Sequence, residues 1–231
     1  MEVFSNLLFE LLDLLITIPI VLVALTFHEA SHGFIAYKLG DPTAKYMGRL
    51  TLNPLKHLDP IGTLCMILCH FGWAKPVPVD MRQFKNPKRG MAICALAGPL
   101  SNLLLGFLGT LIFCILALIF PNILNNYYLS YFLSSFAILN IYLAIFNLIP
   151  LPPFDGSRIL TAFLSDKYYI KLMQNERKIA LGFFIVLLVD SRFLGGYISG
   201  ALADIVYWIF NNFISFIYLF LWGKNGRTVN V

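Results

Sequence analysis

Residues 28–32 read His28-Glu29-Ala30-Ser31-His32, an H-E-x-x-H pattern. On a helix, side chains four residues apart share a face, so both imidazoles project together. Two such nitrogens can hold one zinc ion, with Glu29 beside them as a general base. The surroundings sharpen this reading. Leu14 to Phe27 carries no charge, and at about 1.5 Å rise per residue His28 stands roughly 20 Å along an apolar helix. Ionisable groups that deep in a hydrocarbon core about 30 Å thick are costly, and by default functional. The bland alternative is a histidine pair satisfied by its neighbours.

A catalytic zinc usually has three protein ligands and one open position. The best third candidate is Asp155, in Asn147-Leu148-Ile149-Pro150-Leu151-Pro152-Pro153-Phe154-Asp155-Gly156. Its three prolines break the preceding helix at the membrane boundary. Irregular backbone at that depth is tolerated where it is buried in protein or lines a cavity. From the segment alone, Asp155 is either the third ligand or a loop-entry aspartate solvating the boundary. Asn147, in the last turn of that helix, and Asn140, seven residues earlier, read by themselves as interhelical hydrogen-bonding groups.

Several helices must carry these residues. The chain has 231 residues, 58% hydrophobic and 13% charged, where soluble domains are nearer 45–50% and about 25%. The fold class expected is an all-α polytopic membrane protein, with about six transmembrane or re-entrant helices. Apolar runs fall at 8–39, 61–71, 91–120, 129–149, 179–189 and 197–222. The second has only eleven residues, short for a straight span. Alternation at 45–52, and Pro76 and Pro78 within 73–79, suggest short membrane-associated strands. Gly98, Asn102 and Gly106 form a small-residue stripe that lets another helix approach closely. All Lys and Arg except Arg192, of 17 in total, lie on one side of this topology. The positive-inside rule makes that side cytoplasmic, puts the N-terminus outside and brings His28 and His32 towards the cytoplasmic face. A net charge of +5 therefore reflects topology, and nucleic acid is not an expected partner. Cys65, Cys69, Cys94 and Cys114 lie in apolar runs and suggest buried thiols. The acidic N-terminus does not resemble a cleaved signal peptide. One membrane-embedded domain over residues 1–223 and a cytoplasmic tail at 224–231 are expected.

His28-Glu29-x-x-His32 together with Asn147-x-x-Pro150-x-x-Pro153-x-Asp155-Gly156 resembles the site-2 protease family of intramembrane zinc metalloproteases. Gly40-Asp41-Pro42-Thr43-Ala44, Gly48-Arg49-Leu50-Thr51-Leu52-Asn53-Pro54 and Ala97-Gly98-Pro99-Leu100-Ser101-Asn102 are similar to its short bacterial branch, without a PDZ or CBS domain. The resemblance implies that His28, His32 and Asp155 bind one zinc ion, that Glu29 is the catalytic acid/base and that Asn147 assists at the reacting carbonyl. It also implies a transmembrane helix of another membrane protein as substrate. The strands near 44–52 and 73–79 would then pair with the unwound substrate.

Two other readings compete: a metal-ion transporter using the same ligands as a transit site, and a membrane protein that kept the motif without activity. Outside the motif, His57 and Asp59 read as solvated loop residues, His70 as an interfacial residue and Arg158 as a boundary anchor. Trp73, Trp222, Tyr127 and Tyr128 fit interfacial belts.

Overall fold

The computed structural model describes residues 2–63, 74–120, 122, 125–193 and 195–222. Helix α1 (Glu2–Lys38) carries the histidine motif near its C-terminus and has Pro19 in its interior. It ends where Gly40 adopts φ 110°, a left-handed conformation that glycine takes without a Cβ penalty. Asp41 is fully buried and accepts the Thr43 N–H at 2.9 Å. That bond starts the single turn α2 (Thr43–Tyr46).

The strand expected at 45–52 is therefore replaced by a helical turn. Gly48 follows at φ 63° and reverses the chain, and Arg49 N–H returns to Ala44 O at 2.8 Å. Alternation over a few residues does not outweigh a buried cap and a left-handed glycine. Residues 75–80 form no regular element, and no β-ladder forms among the described residues. One antiparallel bridge joins Leu58 and Ala74, and Lys75 N–H donates to His57 O at 2.8 Å.

Helix α3 (Pro87–Ile119) begins with proline in its first turn, where the missing N–H costs nothing. Helix α4 (Tyr127–Asn147) is capped by Asn126, which accepts the Leu129 N–H at 3.1 Å. Then come α5 (Asp155–Thr161), α6 (Asp166–Gln174), α7 (Glu176–Phe193) and α8 (Tyr197–Trp222). The polar stretch after Pro150 is thus largely short helix.

Among the described residues, four helical stretches are long and apolar enough to cross a membrane: Leu11–Lys38, Pro87–Ile119, Tyr127–Asn147 and Tyr197–Ile217. Of the other two expected spans, 179–189 forms the middle of α7, and most of 61–71 lies outside the described residues. Cys65, Cys69, His70 and Trp73 fall in that same gap. Cys94 and Cys114 are free and buried.

Helix α3 is the hub, packing on α1, α4, α5 and α8. Cys114, Ala137, Ile141, Val206, Phe210, Ile214 and Ile217 form an apolar cluster where α3, α4 and α8 meet. Ala36, Phe84 and Cys94 form a smaller one beside the C-terminal end of α1.

Candidate metal centre

His28 and His32 are buried on the face of α1 turned towards α3. Asp155 arrives from the opposite direction. Past α4 the chain doubles back through the proline turn, with Leu151 N–H on Ile149 O at 2.8 Å and Phe154 N–H on Leu151 O at 3.0 Å. Gly156 lies so close to the carbonyls of Leu148 and Ile149 that any Cβ would collide with them. The Phe154 ring, 4.4 Å from that of Phe146 and 5.1 Å from that of Phe183, anchors the residue just before Asp155.

The result is a triangle of donor atoms. Asp155 Oδ2 lies 3.0 Å from His28 Nε2 and 3.2 Å from His32 Nε2, and the two Nε2 atoms are 3.1 Å apart. Protons do not account for this closeness. His28 Nδ1 meets the Asn102 Oδ1 at 2.6 Å, and His32 Nδ1 meets the Cys94 carbonyl at 2.8 Å. Both partners are acceptors, so each Nδ1 carries a proton, and in the neutral ring each Nε2 then presents a lone pair. With both rings neutral, the 3.1 Å contact between the Nε2 atoms sets two lone pairs facing each other rather than a hydrogen bond. Asp155 Oδ2 is buried and has no hydrogen-bond partner despite its proximity to both rings.

Three lone-pair donors converging in a buried place fit a cation. Ligands at about 2.0–2.1 Å around a tetrahedral zinc stand roughly 3.3 Å apart, close to the observed edges. The donor set, two imidazoles and a carboxylate, suits zinc.

Helix α3 builds the surroundings. Asn102 is fully buried; besides accepting from His28, it donates to Ala24 O at 3.1 Å and to Asn140 Oδ1 at 3.0 Å. Asn140 in turn donates to Phe136 O at 2.8 Å, so its role is the interhelical link expected. Gly98 sits under the imidazoles: a Cβ there would lie 2.5 Å from His32 Nε2 and 2.6 Å from His28 Cε1. Sequence reasoning found the Gly98–Asn102 stripe but read it as helix packing; the signal for its role is that it matches, four residues for four, the spacing of the histidines.

Glu29, half-buried next to His28, accepts the Val77 N–H on Oε2 at 2.7 Å. Asn147 is also half-buried, and its amide donates to Leu143 O in its own helix at 2.9 Å. His57 is 1% exposed rather than solvated; its ring donates to Thr51 O at 2.8 Å and its carbonyl receives Lys75 N–H. Asp59 caps the next turn, accepting from Ile61 and Gly62 N–H. Arg158 pairs with Glu176 at 2.7 Å. Neither Asp59 nor Arg158 belongs to the triangle.

Residues 115–189, which include Asn147 and Asp155, match the model of peptidase family M50. The Bacillus subtilis (strain 168) protein YwhC, which carries the name of a zinc metalloprotease, is 41% identical over 179 residues, covering 77% of this chain and 80% of YwhC. The zinc metalloprotease MJ0392 of Methanocaldococcus jannaschii is 32% identical over 168 residues, covering 72% of this chain and 40% of its own length. Rip2 of Mycobacterium tuberculosis, named as YwhC is, is 28% identical over 194 residues, covering 82% of this chain and 71% of Rip2. No solved structure gives a significant match. Identity at the level of YwhC, across most of both proteins, assigns the lineage: the chain belongs to peptidase family M50, the site-2 protease family, and is a membrane metalloprotease.

Proposed function

We propose that the protein is an intramembrane zinc metalloprotease that hydrolyses peptide bonds within or near transmembrane segments of other membrane proteins, the chemistry of regulated intramembrane proteolysis. The observation that carries this reading is the triangle of His28 Nε2, His32 Nε2 and Asp155 Oδ2, with edges of 3.0–3.2 Å and both Nδ1 protons committed elsewhere. These three residues would hold one zinc ion per chain. When bound, zinc supplies Lewis acidity, which makes water a nucleophile near neutral pH and polarises a carbonyl.

The chain's own groups do the rest. Glu29 takes a proton from the attacking water and delivers it to the leaving amine. One carboxylate oxygen, Oε2, is held by Val77 N–H; Oε1 is the oxygen for proton transfer. Asn147 exchanges its bond to Leu143 O for one to the carbonyl oxygen where negative charge develops. Asn102 and the Cys94 carbonyl keep both imidazoles in the tautomer that offers Nε2.

The distribution of Lys and Arg supports a cell-membrane protein with its N-terminus outside and its active site towards the cytoplasmic face. With α7 counted, and a further span or re-entrant segment at 61–71, the helices would number about six in one domain over 1–223, ahead of a tail at 224–231. Family membership does not favour the transporter alternative.

Purified protein incubated with a transmembrane peptide tests the reading. Wild type is expected to bind one zinc per chain and cleave; Glu29→Gln is expected to keep the metal and lose cleavage. Cleavage by Glu29→Gln, or a wild type that binds no divalent metal, would overturn it.

A further inference from the structure

Arg49 is a buried charge that the mechanism leaves unused. Arg49 is 7% exposed although it comes from a polar connecting segment. Its Nη2 donates to the carbonyl of Lys75 at 2.6 Å and reaches that of Pro76 at 3.3 Å. The Pro76–Val77 peptide, whose carbonyl Arg49 reaches, presents its N–H to Glu29 Oε2 at 2.7 Å. Proline has no N–H, so within Pro76-Val77-Pro78 Val77 carries the sole backbone donor, and it goes to the proposed base. The segment is fixed on either side: Lys75 N–H donates to His57 O, and Asp80 N–H to the buried Asp41 Oδ2 at 2.7 Å. Val77 also packs on α1 one residue past His32, where a Cβ on Gly33 would lie 3.2 Å from Val77 Cγ1.

We infer that Arg49 is a positioning residue for Glu29: by gripping the Lys75 and Pro76 carbonyls it holds the Val77 N–H against one oxygen of the Glu29 carboxylate and thereby aims the other at the reacting water. The inference rests on the proposed role of Glu29 as acid/base. Both contacts leave from one nitrogen, Nη2, whose N–H directions the planar guanidinium fixes, whereas an ammonium turns freely on a flexible stem.

Arg49→Ala and Arg49→Lys test it. In Arg49→Ala, kcat on a transmembrane peptide is expected to fall about 10- to 100-fold, with KM and zinc content unchanged; Arg49→Lys is expected to recover part of the loss. In a Glu29→Asp background, whose shorter carboxylate no longer meets Val77, Arg49→Ala is expected to add little further loss. A second readout needs neither metal nor turnover: amide exchange at Val77 in the metal-free protein should quicken in Arg49→Ala and in Glu29→Ala. Full kcat in Arg49→Ala, unchanged Val77 exchange, or a loss of zinc in step with kcat would overturn the inference. If Arg49→Ala does not fold, zinc-loaded Arg49→Lys decides: wild-type kcat overturns, reduced kcat with unchanged KM supports. Should Glu29→Gln itself cleave, the catalytic reading fails; a dead Glu29→Gln beside a fully active Arg49→Ala sinks only the positioning role.

Discussion

The two halves of α3 use the same sequence device for different ends. In the N-terminal half, Gly98 leaves a space that two imidazole rings fill, and Asn102 and the Cys94 carbonyl bond to those rings. In the C-terminal half, Gly106 and Gly109 leave spaces for neighbouring apolar side chains: added Cβ atoms would lie 2.8 Å from Ile141 Cγ1 and 2.8 Å from Phe136 Cδ1. One half makes room for chemistry, the other for helix contact. The comparison teaches that a small-residue stripe in a membrane helix records close approach, and what approaches decides its meaning.

Four substitutions sharpen or break this contrast. Gly98→Ala should have the largest effect, because the new methyl competes with both rings: metal retention should drop about 100-fold or more, with cleavage lost, as measured by zinc content after dialysis against a chelator. A Gly98→Ala protein that keeps its zinc would erase the distinction between the halves. Asn102→Ala should follow, weakening metal affinity about 10- to 100-fold by freeing the His28 tautomer, which competition with a chromogenic chelator reads directly. Gly106→Ala should leave zinc per folded chain intact and instead cost about 1–3 kcal/mol of stability through overpacking, seen as a lower unfolding midpoint in detergent. Zinc loss there would show that the two halves are not separable. Asn140→Ala should do least, about 0.6–2 kcal/mol for an interhelical hydrogen bond, with a slight decline in metal affinity transmitted through Asn102.

Much of the site was legible because metal binding accepts few residue types in few spacings. His28, Glu29 and His32 declare themselves by four-residue periodicity inside an apolar helix. Asp155 was open on its own segment, and the proline turn delivers it to the triangle through contacts of Gly156 and Phe154 that are made only in three dimensions. The strand expected at 45–52 failed because alternation over so short a run is also met by a helical turn, and the buried Asp41 decides for the turn. Burial of His57 and Arg49 had no local signal: residues 75–80, distant in sequence, cover them. The helices α5 and α6 are too short and polar to stand out from a loop by composition.

The protons on His28 and His32 are set by α3, while the rings belong to α1. Sliding one helix past the other by a single residue, about 1.5 Å, would part both anchors at once and free both rings to tautomerise. With the proposed ligands, metal occupancy would gauge how the two helices are aligned, and a shift in their register would act on the ion without touching any group that binds it.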